Sequence, residues 1–319
     1  MVLLASAAAA PAWAAVGQTV PAAFPRRPLT LIVPFSAGGP VDLLGRLLAQ
    51  EYSARSGQTA IVENKTGGVG NIGIEFVRKS PPDGTTLLVI PAGNLTINPT
   101  LMPNLPFDVE RDFAPIILLA SAPNVIVASP KLGVTSIKQL IEKSKSTKLN
   151  YGSPGVGSQL HLSMELIKER AAVDILHVPY RGSTQALGDL LGDHIDVLVT
   201  NLPAVLSAIK AKQVVPLAMT TAQRSPLVPE VPTLQESGIG GIDITSWYGM
   251  LAPRALPNEV RDAIYTVTRD ILGAQELRGK LLDQGLLVTI ETPEQLGDRI
   301  RRETALWADV IKSRHIVIQ

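Results

Sequence analysis

The sequence predicts an α/β protein in which mainly parallel sheets are flanked by helices, and three observations lead to this class. Apolar runs of strand length alternate along the chain with segments of helical periodicity, which is βαβ order. These runs are apolar at nearly every position, as expected of strands that are buried on both faces of a parallel sheet. At 319 residues, the chain also has the length of about two domains.

The first series of elements alternates strands with helices up to residue 90. Apolar residues recur at helical spacing after residue 40 and stop at Gly57, and glycine commonly follows the end of a helix. Pro82, Asp83 and Gly84 are a turn signal before the last strand of this series. In chain order, we predict strands over 29–35, 61–62 and 85–90, with helices that begin at the glycine-rich segments 36–40 and 67–70.

The second series follows a long apolar segment over 116–129. Predicted strands cover 149–151, 175–180, 195–200 and 214–219, and predicted helices cover 136–145, 158–171, 183–191 and 203–210. A late strand over 244–253 precedes helices over 257–273 and 293–314. Because no Gly-, Ser- or Pro-rich linker separates the two series, we expect the chain to pass between two lobes on extended strands.

Composition excludes several classes of function. Lys and Arg number 29 against 28 for Asp and Glu, so no global basic field attracts nucleic acid or anionic lipid. The absence of cysteine removes thiol catalysis, cysteine zinc sites, iron–sulfur clusters and disulfides. Aromatic residues make up only 4% of the chain, too few for a base-stacking platform. The four histidines have no metal-ligand spacing, and we expect neither a metal nor a cofactor.

The N-terminal segment predicts export. Residues 1–15 are almost wholly small and apolar, and Ala12-Trp13-Ala14 has the form of a signal-peptidase site. The segment is too short to span a membrane, although it lacks the Lys or Arg with which secretory peptides normally begin. We therefore expect a signal peptide over 1–15 and a mature protein that is secreted or periplasmic.

Two strand–loop–helix junctions share a design that suits an anion. The first N–H groups of a helix have no intrahelical partners, and the helix dipole adds partial positive charge at that end. Glycines allow close backbone approach, and serine hydroxyls add donors. The first junction contains Phe35, Ser36, Ala37, Gly38 and Gly39, and the second contains Ser153, Pro154, Gly155, Gly157 and Ser158. Together they could hold one carboxylate without any arginine.

Taken alone, each junction is more simply interpreted as an ordinary βα turn with Gly and Ser as caps. Neither has the spacing of a nucleotide-binding fingerprint, and the serines lack the G-x-S-x-G context of a nucleophile elbow. Asp42 follows the first junction, where a carboxylate would repel an anionic ligand. We therefore expect Asp42 to stabilise the helix dipole from the first turn of the helix rather than to contact ligand.

Single residues near the same strand ends are further candidates, each with a structural alternative. His161 lies one turn into the helix of the second junction and could line a cleft or serve as a structural hydrogen bonder. Arg181 and Asn201 end two predicted strands, at the edge where ligands bind in such sheets. Arg181 could instead be solvated, and Asn201 could cap the next helix. Trp247 and Tyr248 could form hinge packing or an apolar cleft wall.

An ordered series of short motifs resembles the Bug-type substrate-binding proteins of tripartite tricarboxylate transporters. The resemblance extends from about residue 25 to the C-terminal helices and is specific as a series, although each motif alone is weak. Its first motifs are Arg27-Pro28 followed by 29–42, Val62-Glu63-Asn64-Lys65, 67–73 and Pro82-Asp83-Gly84. Its later motifs are 112–115, 150–153, 155–158, 177–182, 201–203, 224–226, 231–233 and Ser246-Trp247-Tyr248-Gly249.

The resemblance implies a two-lobed, type II periplasmic binding protein-like fold that closes on its ligand. Lobe one would comprise residues 24–123 plus 244–319, and lobe two residues 124–243. Such proteins bind small carboxylates, are not enzymes, and deliver solute to a permease of one large and one small membrane subunit. We expect a periplasmic monomer that binds a mono-, di- or aromatic carboxylate and no nucleic acid.

The resemblance also implies a ligand site. The two loops would hold the proximal carboxylate, partly through water. In this sequence, we expect the distal half of the ligand to be tuned by Ser36, Pro154 and Asn94-Leu95-Thr96, together with Arg181 and Asn201. The expected ligand-binding residues are Phe35, Ser36, Ala37, Gly38, Gly39, Asn94, Ser153, Gly157, Ser158, Arg181 and Asn201. Two other functions stay open: a periplasmic ligand sensor for a signalling partner, and a hydrolase that uses the loops as an oxyanion cradle with His161 as its base.

Overall fold

The computed structural model describes residues 20–102 and 104–317, so the predicted signal peptide over 1–15 lies outside the described residues. The chain begins with the β/α units that the apolar runs predict. Short helices then follow the third strand. In order, these elements are β1 (Leu29–Val33), α1 (Pro40–Ser56), β2 (Ala60–Asn64), α2 (Asn71–Arg78), β3 (Thr86–Pro91), α3 (Ala92–Thr96), α4 (Asn98–Leu101) and α5 (Val109–Asp112).

The long strand β4 (Phe113–Ala128) connects this first half to a second set of β/α units. The second half consists of α6 (Ile137–Ser144), β5 (Asn150–Ser153), α7 (Gln159–Ala171), β6 (Leu176–Pro179), α8 (Ser183–Leu191), β7 (Val197–Asn201), α9 (Leu202–Lys210) and β8 (Val215–Met219). The chain then returns through β9 (Thr245–Pro253) and ends in α10 (Asn258–Gly273), α11 (Gln275–Asp283), β10 (Leu287–Glu291) and α12 (Pro293–Ser313).

The strands follow the order β2-β1-β3-β9-β4-β7-β5-β6, and β8 and β10 also pair with β4. Strand β1 is parallel to β2 and β3, and β5 is parallel to β6 and β7, as the uniformly apolar runs predict. The crossing strands β4 and β9 are antiparallel to each other and to these sets. The α/β class is therefore confirmed, with the sheet mixed at its centre.

Strand β4 changes partner in its middle. Pro123 is its last residue paired with β9, and Asn124 is the first paired with β7. This change coincides with the predicted lobe boundary, which stays a prediction. The long helix α12 extends across both halves, because Leu296 and Ile300 pack in a cluster of the first half whereas Trp307 and Val310 pack in one of the second.

Several elements were not predicted from the sequence. The helices α3, α4 and α5 span five residues or fewer, which is too short to produce a helical period. Asn94, which follows the predicted strand over 85–90, therefore lies within a helix that was not predicted, α3. Strand β10 was also missed; its residues are only half-buried, and it pairs with β4 at an irregular register.

Candidate functional site

A cleft cavity of about 380 Å³ lies where the two halves meet. The first half contributes the β3–α3 junction, strand β9 contributes three consecutive residues, and the second half contributes the starts of α7, α8 and α9. The lining residues are Pro91, Ala92, Gly93, Asn94, Pro154, Ser158, Gln159, Leu160, Gly182, Ser183, Asn201, Ser246, Trp247 and Tyr248. This position, beyond the carboxyl ends of parallel strands, is where ligands bind in open α/β sheets.

Three helices of the second half begin at this cavity. Ser158 is the N-cap of α7, and its Oγ accepts a hydrogen bond from the backbone N–H of His161. Gly182 and Asn201 are the N-cap residues of α8 and α9 and provide no side-chain cap. First-turn N–H groups of these helices therefore remain for a ligand, except at Pro203 in α9, which has no N–H, and the helix dipoles favour an anion. None of the lining residues carries a charge.

A network of buried polar groups holds the loop before α7. The hydroxyl of Ser153 lies 2.7 Å from His177 Nε2, and the N–H of Gly157 donates to His161 Nδ1 at 3.1 Å. The two imidazole rings stack at a centroid distance of 3.9 Å, and Tyr151 stacks on His177 at 4.9 Å. Ser153 and Gly157 thus shape the loop from behind and do not line the cavity.

Burial disfavours the charged form of both histidines. Burial lowers the pKa of His161. Burial, with the neighbouring His161 ring second, lowers the pKa of His177 to about 4. His161 Nδ1 accepts a hydrogen bond from the main chain, so its lone pair supports the loop. This geometry favours the structural alternative for His161 over the general base that a hydrolase would need.

The pKa of His177 predicts that acid destabilises the fold. An unfolded chain protonates this histidine below about pH 6.5, whereas the folded protein does so only near pH 4. Between these values the unfolded state binds more protons, so stability falls as the pH falls. We expect urea unfolding midpoints to decrease from pH 6.5 to pH 4, with a weaker decrease in His177→Gln. If the unfolding midpoint decreased equally with pH in the wild type and in His177→Gln, His177 would not be the source of the acid sensitivity.

The first predicted loop has a different geometry. Gly38 has a φ of 95°, and its N–H donates to Asp42 Oδ2 at 2.9 Å. Asn64 Nδ2 donates both to Asp42 Oδ1 and to the carbonyl oxygen of Phe35. Asp42 therefore organises the loop from the first turn of α1, in line with its expected structural role. It also occupies the N–H of Gly38 that the anion hypothesis assigns to ligand.

One glycine, Gly70, lies between Phe35 of the first loop and Asn94 of the cavity lining. Phe35, Ser36, Ala37, Gly38 and Gly39 are not among the lining residues. A Cβ placed on Gly70 would lie 3.3 Å from Phe35 Cζ and 3.0 Å from Asn94 Nδ2, so Phe35 and Asn94 flank this glycine. The structure therefore brings together Asn94, Ser158 and Asn201 of the predicted residues, and Phe35 of the first loop lies behind Asn94, on the other side of Gly70.

Asn94 holds a strained segment next to the cavity in place. Its Nδ2 donates to the carbonyl oxygen of Val69 at 2.7 Å. Val69 has a φ of 56°, which is a strained backbone for a β-branched residue. Asn94 is thus both a lining residue and a structural hydrogen bonder, and the second role was not evident from the sequence.

Asn201 lies in a polar network at the crossing of the two halves. Its Nδ2 donates to Asn124 Oδ1 at 2.7 Å and to Ser246 Oγ at 2.9 Å. The Ser246 hydroxyl also lies 2.8 Å from Gln159 Oε1. The network joins β4, β7, β9 and α7 at the floor of the cleft. Sequence analysis missed Gln159 and noted Ser246 only within the Ser246-Trp247-Tyr248-Gly249 motif.

Solvent exposure and hydrogen bonds show where the remaining candidates, Arg181 and Trp247, lie. Arg181 is exposed at the end of β6 and does not line the cavity, although the next residue, Gly182, does. The indole of Trp247 is 1% exposed and donates to the carboxylate of Glu303 at 2.9 Å. The Trp247 side chain therefore packs between β9 and α12, which is the hinge-packing alternative.

A second cavity, of about 420 Å³, lies between α5 and α12. Its lining includes the acidic residues Asp108 and Glu110, and Arg301 in the same wall pairs with Glu110 at 3.4 Å. The helices that begin at this wall, α4 and α5, span four residues each. This cavity therefore lacks the convergence of long helix N-termini that characterises the cleft.

Comparison with known proteins assigns the family. The profile of the tripartite tricarboxylate transporter family receptor, TctC, matches residues 44–316. The chain belongs to this family. Protein BugT of Bordetella pertussis is 32% identical over 292 residues, which cover 91% of this chain and 90% of BugT. The Bug-type resemblance found in the sequence is thereby confirmed.

Two solved structures of similar proteins carry ligands. R. palustris Rpa4515 with adipate is 35% identical, with a TM-score of 0.78, over 92% of this chain and 99% of that one. MatC from Rhodopseudomonas palustris with bound malate is 30% identical, with a TM-score of 0.74, over 90% of this chain and 100% of that one. TctC-family members are two-lobed periplasmic solute-binding proteins, so this chain is a binding protein rather than an enzyme.

Within 20–102 and 104–317, no helix combines the length and the apolar character that a membrane span needs. In the same part of the chain, no group of three or more His, Asp or Glu side chains is arranged to hold a metal ion.

Proposed function

We propose that this protein captures a small carboxylate in the cleft between its lobes, closes on it in the periplasm and delivers it to a permease with one large and one small membrane subunit. The observation that carries the proposal is the convergence of the α7, α8 and α9 N-termini on an uncharged cavity. Helix N-termini favour negative charge, and no acidic side chain lines the cavity to compete with the ligand.

In this proposal, the start of α7 binds the proximal carboxylate. Ser158 and the first-turn N–H groups donate, and Ser153 and Gly157 hold the loop in position. Asn94 and Asn201 contact the ligand from either side of the cleft, whereas the loop of Phe35 to Gly39 supports the wall behind Asn94. The comparisons support a carboxylate, since Rpa4515 and MatC carry adipate and malate.

In this proposal, the ligand favours closure of the cleft because it contacts both halves of the protein. The proposed lobes are residues 24–123 plus 244–319 and residues 124–243, joined by β4 and β9. A ligand held between α3 and α7 interacts more strongly with the closed arrangement, so binding shifts the population towards it. The predicted signal peptide over 1–15 would place the mature protein in the periplasm.

Native mass spectrometry of the protein purified from its own periplasm tests this proposal. We expect one small carboxylic acid per chain to be released and identified. Release of a bound solute without a carboxyl group would contradict it. Co-purification of the two membrane subunits, increased by the released acid, would test the delivery step.

A further inference from the structure

His161 holds the two residues that precede α7 through two hydrogen bonds. Its imidazole Nδ1 accepts from the backbone N–H of Gly157 at 3.1 Å, and its own backbone N–H donates to Ser158 Oγ at 3.1 Å. Ser158 lines the cleft cavity, whereas His161 is 6% exposed and is not among the lining residues. His161 therefore supports the proposed carboxylate site from behind.

The hydrogen bond from Gly157 requires one protonation state of the His161 ring. A backbone N–H can only donate, so the Nδ1 atom that faces it must carry a lone pair. The neutral imidazole has such a lone pair, but in the imidazolium both nitrogens carry a proton. Protonation of His161 would therefore oppose two donors and remove the bond. The loop contains Gly155 and Gly157 at φ values of 141° and 74°, so its backbone is free to rearrange when the bond is lost.

The titratable and charged groups around His161 come from four parts of the chain. They are Tyr151 of β5, Glu165 and Lys168 of α7, His177 of β6, and Arg314 beyond α12, which pairs with Glu165. Burial is the largest influence on the pKa of His161 and lowers it; Glu165 raises it and Lys168 lowers it. Protonation of the ring in the folded protein is therefore shifted below the ordinary histidine value of about 6.5.

We propose that His161 is a positioning residue of the carboxylate site and that protonation of its ring in acid releases the ligand. The proposal rests on the proposed function, in which the ligand carboxylate lies at the start of α7. The neutral ring holds Gly157 and thereby the loop from which Ser158 reaches the cavity. Loss of this bond displaces the donors from the ligand. The added positive charge alone would strengthen anion binding, so a loss of affinity in acid is specific to lost positioning.

Isothermal titration between pH 7.5 and pH 5 tests this proposal. The probe is the acid, among acetate, succinate, adipate and benzoate, that binds the wild type most tightly at pH 7.5. His161→Asn keeps a side-chain oxygen near the place of Nδ1 and does not titrate. We expect acid to weaken binding by the wild type roughly tenfold more than binding by this variant, the effect of about one hydrogen bond. Protonation of the acid itself affects both proteins alike.

His194→Asn is the matched control, because His194 is exposed and does not line the cleft cavity. It should keep the pH dependence of the wild type, and circular dichroism at each pH should show that all three proteins are folded. The same pH profile in the wild type and in His161→Asn would overturn the inference, as would stronger binding by the wild type in acid. Either result would leave carboxylate binding intact, whereas failure of every acid to bind at pH 7.5 would overturn both proposals.

A measurement on the wild type alone tests the same link in the opposite direction. A ligand that binds the neutral form of His161 must lower the pKa of that ring, because the coupling between two binding events is reciprocal. We expect NMR titration of the histidine rings to show a lower pKa for His161 when the probe acid is saturating. An unchanged or raised pKa would overturn the inference.

Discussion

Ser158→Asp is expected to abolish carboxylate binding while leaving the protein folded. Aspartate caps a helix as well as serine does, so the bond now made by Ser158 Oγ to the N–H of His161 has a replacement. The new negative charge would occupy the α7 N-terminus and repel a ligand carboxylate in the same cavity. Like charges at close range cost several kcal/mol, so we expect affinity to fall by at least about 100-fold, or ~2.7 kcal/mol.

Ser158→Asn is the matched neutral variant for this experiment. Asparagine is also a good N-cap and has nearly the size of aspartate, so it isolates the effect of charge. We expect its affinity, measured by isothermal titration, to stay within roughly tenfold of the wild type. Equal losses of carboxylate affinity in the Asp and Asn variants would show that the size of the side chain, and not its charge, weakens binding. That result would contradict an anion site at α7.

Of the substitutions proposed here, Glu165→Gln is expected to cause the largest decrease in the free energy of unfolding. Glu165 and Lys168 are buried partners 2.8 Å apart, and Glu165 also accepts bonds from Tyr151 and Arg314. Burial alone would raise the pKa of Glu165, but the bonds from these three residues outweigh it and keep the pKa below its usual value. Removing the charge leaves the ammonium of Lys168, 6% exposed, with the exposed Asp174 at 3.3 Å as its remaining ion-pair partner in the part of the chain that the structure describes.

Breaking a buried pair by removing one partner costs about 3–5 kcal/mol, and we expect a loss near the lower value. The free energy of unfolding from urea titration measures it. Glu169→Gln is the control: this exposed residue of the same helix should change stability by no more than about 0.5 kcal/mol. A similar small change in Glu165→Gln would show that the buried cluster is not a net source of stability. The cluster also supports the proposed site, because Tyr151 stacks on His177, which holds the loop before α7.

Most of the fold could be predicted because its strands are buried on both faces and its longer helices show a clear period. The helix predicted over 158–171 is observed as Gln159–Ala171, with Ser158 as its cap. The period fails for α3, which spans five residues, so the position of Asn94 in a helix could not be predicted. The uniformly apolar runs indicated the parallel strands but not that β4 would serve both halves.

The positions of site residues could be predicted where they depend on local strand–loop–helix order. Hydrogen bonds to residues distant in the sequence could not be predicted in this way. The helix starts at Ser158 and Asn201 follow from strand–loop–helix order, and both residues line the cavity. The hydrogen-bond partner of the Gly38 N–H is Asp42, and Asp42 is held in place by Asn64 of β2. This arrangement depends on a distant strand and is not evident from the local sequence.

The measurement that tests the central claim most directly is a pair of titrations of the wild type with one carboxylate and its primary amide. The acid identified by native mass spectrometry, or the best binder of a carboxylate panel, serves as the probe. The two molecules match in size and shape and differ in charge. We predict that the carboxylate binds and that the amide binds at least about 100-fold more weakly, or ~2.7 kcal/mol. Equal affinity for both, or no binding by any carboxylate, would contradict an anion site at the helix N-termini.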